Sequence, residues 1–182
     1  MANVFTSSYS TQLTIPEKVQ VCSIGPSTIT AGTNTRKHRG AGVIDLSERG
    51  QQLIEESPVG RLATVSADGA PHIVPICFVV SDSYVYSVID EKPKRTKRLR
   101  RIRNIEENPR TALIIDHYDD DWSQLGWVML QSDAEILGSG KEHEAGIKLL
   151  RKRYRQYKMM ALDEAPLIRL HIQRATEWWA DV

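Results

Sequence analysis

Cysteine is scarce in this sequence, and long apolar runs are missing. The 182 residues include two cysteines, Cys22 and Cys77, which lie far apart and match no metal-binding spacing. No apolar run approaches the roughly 18 residues of a membrane-spanning helix, and residues 1–40 lack the apolar block of a secretory signal. These absences argue against a disulfide-rich secreted protein and an integral membrane protein. We therefore expect a soluble, cytoplasmic chain in which Cys77 is a small core residue.

Acidic residues are nearly absent from the first forty positions. Residues 1–40 contain twelve Ser or Thr and the single acid Glu17, and they show no sustained apolar periodicity. We interpret this segment as a poorly ordered extension, either an organelle-targeting peptide or the over-long start of a bacterial chain. Length then favours one folded domain over residues 41–182.

Acidic residues are also missing from 92–103, where eight of twelve residues are basic. The whole chain has 24 basic and 23 acidic residues, so the remainder would have 16 against 23. The segment follows a β-branched run, and from Arg95 its apolar residues recur at helical spacing, which predicts strand, loop and helix. An anion at the start of that helix would offset the unfavourable cations there, so Lys92, Lys94, Arg95 and Thr96 are candidates to hold a phosphate. The alternative is a solvated basic helix.

Most predicted elements are short strands. Asp45 is a candidate cap for a first helix that stops at Pro58, and the stripe of Ile147, Leu150, Tyr154 and Tyr157 predicts a second long helix. The turn at 67–70 separates the first two strands into a hairpin. The six predicted strands cover residues 60–66, 71–80, 84–89, 111–115, 127–137 and 167–172. Six strands with few helices between them predict a mainly β fold, a small antiparallel barrel.

The order of several motifs resembles a known family. The matching pieces are Val59–Pro75, Asp90–Thr96, Asn104, Asn108–Arg110 and Asp116–Trp122. Together they resemble the pyridoxamine 5'-phosphate oxidase-like proteins, which have the FMN-binding split-barrel fold, and they are most similar to the coenzyme F420-dependent branch. The resemblance covers about residues 45–175. The C-terminal motif of true pyridoxamine phosphate oxidases is missing, which argues against vitamin B6 oxidation.

The resemblance implies a six-stranded split β-barrel that forms a homodimer, with cofactor sites in grooves between the subunits. It implies that one strand lies along the ring of a flavin or deazaflavin, that a second strand flanks the ring, and that a basic loop holds the cofactor phosphate. The implied ring strand is Ile73, Val74, Pro75 and Ile76; the flanking residues are Ser87 and Val88; the phosphate residues are Lys92, Lys94, Arg95, Thr96 and Lys97.

The resemblance implies a reductase that passes hydride from reduced coenzyme F420 to a small unsaturated or quinone-like substrate. FMN is the alternative cofactor. Such cofactors carry the reactive atom themselves, and since no Ser, His and Asp set has a telling spacing, we assign no catalytic residue. A non-enzymatic cofactor carrier is an alternative within the fold, and a nucleic-acid-binding protein is the alternative outside it; we expect neither a nucleic-acid nor a membrane partner. The basic residues that follow the predicted phosphate-binding turn are candidates to bind the anionic tail of F420: Lys97, Arg98, Arg100, Arg101 and Arg103.

Three other features have both a functional and a structural interpretation. His72 precedes the implied ring strand and is either a ligand contact or an ordinary strand histidine. The aspartates from Asp116 to Asp121 are either ligands for a hard cation or a solvated turn, and we favour the turn. Trp122 and Trp127 are expected in the core or an interface rather than in a site. We predict no metal site.

Overall fold

The computed structural model describes residues 45–90 and 99–180. In these residues the chain forms one antiparallel sheet of seven strands with three α-helices and two short 3₁₀ helices. The strands are β1 (Gly60–Val65), β2 (Pro71–Ile76), β3 (Val79–Ser81), β4 (Tyr84–Val88), β5 (Arg110–His117), β6 (Gly126–Leu137) and β7 (Leu167–Trp179). The helices are α1 (Glu48–Glu56), α2 (Arg100–Glu107) and α3 (Lys141–Arg153), with 3₁₀ helices at Trp122–Gln124 and Arg155–Met159.

The core is built from strand residues that alternate between buried and outward-facing positions. Leu62, Leu113, Val128 and Leu130 are completely buried, and the residues between them in each strand point to the other face of the sheet. Ile54 of α1 packs into the same cluster, and a second cluster forms where α3 covers the outer side of β4. The prediction of a mainly β, antiparallel fold is therefore confirmed.

The strand order is β2-β1-β5-β6-β7-β4-β3, so β2 and β3 lie at opposite edges of the sheet. Six spacings of about 4.8 Å would separate these edges by about 29 Å in a flat sheet. Only Cys77 and Phe78 join β2 to β3, and three steps along an extended chain cover at most about 11 Å. The sheet must therefore curl until its two edges meet, as in a split barrel. We call the junction Ile76–Val79 the seam.

The seam explains why seven strands are found where six were predicted. The predicted strand 71–80 is divided into β2 and β3 because Phe78 leaves the ladder. The N–H of Phe78 donates to the Tyr154 hydroxyl at 2.9 Å, and that hydroxyl lies 2.7 Å from the carbonyl oxygen of Phe78. The Tyr154 hydroxyl thus hydrogen-bonds to the N–H and carbonyl oxygen of Phe78, which would otherwise pair with a neighbouring strand.

Residues distant in sequence hold both ends of α1. The N-cap is Ser47, so the prediction of Asp45 was wrong, and Glu177 of β7 accepts hydrogen bonds from the Ser47 N–H at 2.7 Å and from its hydroxyl at 2.8 Å. At the other end, the Arg153 guanidinium donates to the carbonyl oxygens of Ile54, Glu55 and Ser57 at 2.8, 3.0 and 2.7 Å. A carboxylate at the start and a cation at the end both suit the helix dipole.

Other element boundaries also differ from the sequence prediction. Helix α2 begins at Arg100 rather than Arg95, with Leu99 as its N-cap in an extended conformation. The predicted long helix ends at Arg153, and a 3₁₀ helix follows after extended Tyr154. β7 continues to Trp179, because long β6 pairs with it throughout except at a register shift beside Gln131.

The predicted extension 1–40 lies outside the described residues. Within the part of the chain that the structure describes, no helix is long and apolar enough to cross a membrane.

The Tyr154 hydroxyl should contribute strongly to stability. We expect Tyr154→Phe to lower the free energy of unfolding by about 1–3 kcal/mol, because the buried Phe78 N–H would lose its acceptor. Urea unfolding followed by circular dichroism measures this change. Tyr118→Phe, at a ring that is 70% exposed, is the matched control and should be near neutral. Equal effects in the two variants would contradict the role given to Tyr154.

Glu177 should make the free energy of unfolding depend on pH. Burial raises the pKa of this carboxyl, but hydrogen bonds from Ser47 and Trp179 outweigh burial and hold the pKa below its ordinary value of 4.5. Its contribution is therefore complete above pH 4.5 and is lost as pH falls through the lowered pKa. We expect Glu177→Gln to cost about 1–2 kcal/mol at pH 7 and less at pH 3. Unfolding at both pH values tests this; Glu55→Gln on α1 is the control, and a pH-independent cost would count against the mechanism.

Candidate functional site

The seam brings together strands that are remote in the sheet order. Val79, the last residue of the seam, pairs with Tyr86, the neighbour of Ser87 on β4. Ile76, the last residue of β2, is three residues away from Val79 along the chain. The end of β2 therefore lies within about 11 Å of β3, whose ladder partner is β4. The implied ring strand and the implied flanking strand meet at one place.

The outer edge of β2 is available to a ligand. Among the described strands β2 pairs only with β1. In this ladder the backbone groups of His72, Val74 and Ile76 face β1, opposite Thr64, Leu62 and Gly60. Pro71 and Pro75 have no N–H, and a proline in a strand turns its nitrogen away from the ladder. By alternation the N–H of Ile73 faces the same unpaired edge. This edge therefore offers one donor, flanked by the carbonyl oxygens of Pro71, Ile73 and Pro75.

The first turn of α2 is cationic and has no side-chain cap. Leu99 makes no side-chain capping bond, and the first turn has no acidic residue but contains Arg100 and Arg101. Cations at this end interact unfavourably with the helix dipole, whereas a bound anion would interact favourably with both the dipole and the cations. Arg101 is half-buried, and its buried Nε atom has no hydrogen-bond partner among the described residues.

Charged and polar neighbours surround Arg101. Burial lowers the pKa of Arg101, and the nearby Asp90 and Tyr157 act in the opposite direction. Burial, followed by the charges of Arg100 and Arg101, lowers the pKa of His72, so this imidazole is neutral at pH 7. The beginning of β2, the end of β4 and the first turn of α2 therefore lie in one electrostatic neighbourhood.

A buried hydrogen-bond chain fixes α2 on the sheet. Asn104 is completely buried, and its Nδ2 donates to the Thr64 hydroxyl at 3.0 Å. That hydroxyl in turn lies 3.3 Å from the His72 carbonyl oxygen. The Oδ1 atom of Asn104 has no partner among the described residues, which leaves a buried acceptor one helical turn from the buried Nε donor of Arg101.

The 3₁₀ helix Arg155–Met159 closes the other side of the seam. Tyr157 is buried in it, and Cys77 packs against the cluster that contains Tyr157. Burial, and then a hydrogen bond with Cys77, raise the pKa of the Tyr157 phenol, which stays protonated. Cys77 is a free thiol and is half-buried, close to the core position expected from the sequence.

The predicted site residues fall into three groups. The Ile73 and Pro75 side chains are exposed, whereas Val74 and Ile76 turn toward the core. Ser87 and Val88 are buried on opposite faces of β4, with Val88 in the cluster under α3. The phosphate residues Lys92, Lys94, Arg95, Thr96 and Lys97 lie outside the described residues. All three assignments stay predictions.

Sequence reasoning missed several residues at the seam. Tyr154 and Tyr157 were interpreted only as a helix stripe, and Thr64 was not singled out. Asn104 interrupts the apolar spacing of Leu99, Ile102 and Ile105, and a polar residue there is a signal of a buried hydrogen bond. No signal in the sequence places Tyr154 beside Phe78.

The aspartate-rich loop has local roles. Asp119 accepts from the Asp121 N–H at 2.8 Å, Asp121 accepts from the Ser123 N–H at 3.1 Å, and Asp116 pairs with Arg61. Among the described residues, no group of His, Cys, Asp and Glu is arranged to hold a metal ion. Trp122 is 69% exposed.

Comparison with known proteins places this arrangement in a family. A model for pyridoxamine 5'-phosphate oxidase matches residues 46–179. A characterised relative, the 5a,11a-dehydrotetracycline/5a,11a-dehydrooxytetracycline reductase of Streptomyces rimosus, is 29% identical over 120 residues, which cover 65% of this chain and 72% of the relative. The family and this relative together support an oxidoreductase of the flavin type.

Solved structures agree on the fold. A FAD-binding protein from Mesorhizobium loti is 22% identical with a TM-score of 0.57, over 75% of this chain and 96% of that one. The heme storage protein HutZ of Vibrio cholerae is 18% identical with a TM-score of 0.55, over 71% of this chain and 90% of that one. Since the family match spans nearly all described elements, the chain belongs to the pyridoxamine 5'-phosphate oxidase family.

Proposed function

We propose that this protein is a reductase that uses coenzyme F420 to reduce a small unsaturated or quinone-like molecule. The observation that carries the proposal is the seam, where an unpaired strand edge meets a helix start that favours an anion. FMN is the alternative cofactor, because both cofactors join a flat ring to a phosphate. The dehydrotetracycline reductase supports polycyclic unsaturated ketones as the first substrates to test.

The described residues fit such a cofactor. The edge of β2 can donate the Ile73 N–H to a ring acceptor and accept a ring N–H at the flanking carbonyl oxygens. The uncapped first turn of α2, with Arg100 and the buried Nε of Arg101, supplies donors and positive charge for a phosphate. The predicted loop residues Lys92, Lys94, Arg95, Thr96 and Lys97 would complete that anion site.

The protein's part in the reaction is to bind, orient and exclude water. The bound cofactor would supply the hydride, so the protein needs no nucleophile. Neutral His72 adds no charge beside the ring strand, and protonated Tyr157 keeps the back of the seam uncharged. The exposed side chains of Ile73 and Pro75 would give the ring and a flat substrate an apolar contact.

The cofactor assignment predicts a spectral change. We expect purified protein to bind F420 more tightly than FMN, and Lys94→Glu with Arg95→Glu to weaken both by replacing attraction to a phosphate with repulsion. Each lost charge-assisted hydrogen bond is worth about 1.5–3 kcal/mol. Absorption titration with each cofactor, followed by turnover of the reduced form with a dehydrotetracycline, tests this.

A matched control is Lys141→Glu with Lys148→Glu, which changes charge by the same amount at exposed positions of α3. Tighter binding of FMN would favour the FMN enzyme. Binding without turnover would favour a cofactor carrier, and equal weakening by the control would contradict the loop assignment.

We also propose a homodimer, which would complete the site. Seven outward residues of neighbouring strands are apolar and lie on one face of the sheet: Ile73, Ala63, Ala112, Ile114, Met129, Trp127 and Trp178. The paired side chains of Arg61 and Asp116 lie on the same face, as do Gln131 and Arg174. Ile73 and Trp178 are 64% and 47% exposed. A face of this kind, continuous with the ring strand, suits a twofold partner that buries it and walls the cofactor groove.

The dimer proposal predicts the effect of one charge on this face. We expect Ile114→Arg to give a folded monomer with weakened cofactor binding, because the new arginine would be buried at the interface opposite Arg61, its ladder neighbour on β1. Light scattering coupled to gel filtration measures the mass, and circular dichroism checks folding. Gln52→Arg on exposed α1 is the control and should stay dimeric. A monomeric wild-type protein, or a dimeric Ile114→Arg variant, would overturn the assignment.

A further inference from the structure

A second basic run has no role in the function proposed so far. Between Glu144 and Asp163 the chain contains six basic residues and no acidic one: Lys148, Arg151, Lys152, Arg153, Arg155 and Lys158. This run occupies the end of α3 and the following 3₁₀ helix. In a chain of formal net charge +1, it is a concentration of charge comparable to that of 92–103.

Two of these six residues have internal partners. Arg151 donates to both carboxylate oxygens of Asp163, at 2.8 and 3.0 Å, and Arg153 caps α1 and lies 4.9 Å from the centre of the Phe78 ring. The other four side chains are exposed. None of those four forms an ion pair with a carboxylate in the described part of the chain.

The last three of these cations lie beside the candidate site. Lys152 lies at the end of α3, and Arg155 and Lys158 lie on the 3₁₀ helix whose buried Tyr157 packs on the seam; we call these three residues the cationic ridge. Tyr157 is also a near neighbour of Arg101 in the first turn of α2. Residues three apart in a 3₁₀ helix share one side, so Arg155 and Lys158 point the same way.

The expected tail cations that lie on α2 are less available than the ridge. Arg101 is turned inward, and Arg103 lies 3.9 Å from Glu107. Lys97 and Arg98 lie outside the described residues, which leaves Arg100 as the exposed candidate of α2. An anionic chain that leaves the first turn of α2 would therefore meet more unpaired positive charge on the ridge than along α2.

We propose that the cationic ridge binds an anionic, carboxylate-bearing extension of the cofactor beyond its phosphate, of the kind that the glutamyl tail of F420 provides. This inference rests on the proposed function. Within the 3₁₀ helix, Arg155 and Lys158 are about 6 Å apart at about 2 Å per residue, a distance that two extended residues of a tail can follow. FMN ends at its phosphate and would leave the ridge unused.

The test is a binding measurement that varies the length of the tail. Wild-type protein is titrated by fluorescence with F420 that has several glutamates and with the same deazaflavin phosphate without glutamates. We expect the long-tailed form to bind more tightly, and Arg155→Ala with Lys158→Ala to remove most of this preference. Each exposed ion pair of this kind changes the binding affinity by up to about fivefold. The ratio of the affinities for the long-tailed and tailless forms should therefore fall about three- to twentyfold in the variant. Added salt should reduce it as well.

Lys141→Ala with Lys148→Ala removes the same charge from exposed positions of α3 outside the ridge and should keep the preference. A wild type that binds both deazaflavins equally, or a ridge variant that keeps the preference, would overturn the ridge and leave the cofactor proposal standing. Failure of the wild type to bind either deazaflavin would overturn both proposals together.

Discussion

The two-residue connection between β2 and β3 is the constraint on which the rest of this structure depends. Cys77 and Phe78 must join edges that a flat sheet of seven strands would hold about 29 Å apart. Curling satisfies the connection, but it leaves a split where the edges meet without a ladder. The backbone of Phe78 then needs another partner, and the Tyr154 hydroxyl provides it. The barrel and its opening therefore have the same cause.

The residues that stabilise the seam also fix the helices around it. Arg153 stacks on the Phe78 ring and caps α1, while its neighbour Tyr154 bonds to Phe78 and lies 3.0 Å from the carbonyl oxygen of Pro58. On the opposite side, Asn104 and Thr64 attach α2 to β1. Each contact joins segments far apart in the chain, so the walls of the site are set by tertiary bonds rather than by local propensity.

Local patterns predicted much of the fold but not the seam. Alternating apolar residues predicted β1, β4, β5 and β6, and the turn at 67–70 predicted the first hairpin, because these signals depend on neighbours in sequence. The division at Phe78, the cap at Ser47 by Glu177 and the end of α3 at Arg153 depend on partners about 75 to 130 residues away, as the separations of Tyr154 from Phe78 and of Glu177 from Ser47 show. The family resemblance supplied the site residues, whereas Thr64, Tyr154 and Tyr157 emerged only once the sheet was curled.

Electrostatics at the seam favours a ligand that is neutral at one end and anionic at the other. The β2 edge offers backbone groups beside neutral His72 and apolar side chains, and it carries no charge of its own. The first turn of α2 adds cations where the helix dipole makes them unfavourable, and the half-burial of Arg101 increases that cost. Asp90 offsets part of this cost at Arg101, and a bound anion would offset more. Under the function proposed above, a phosphate bound at this first turn would turn the unfavourable charge into attraction.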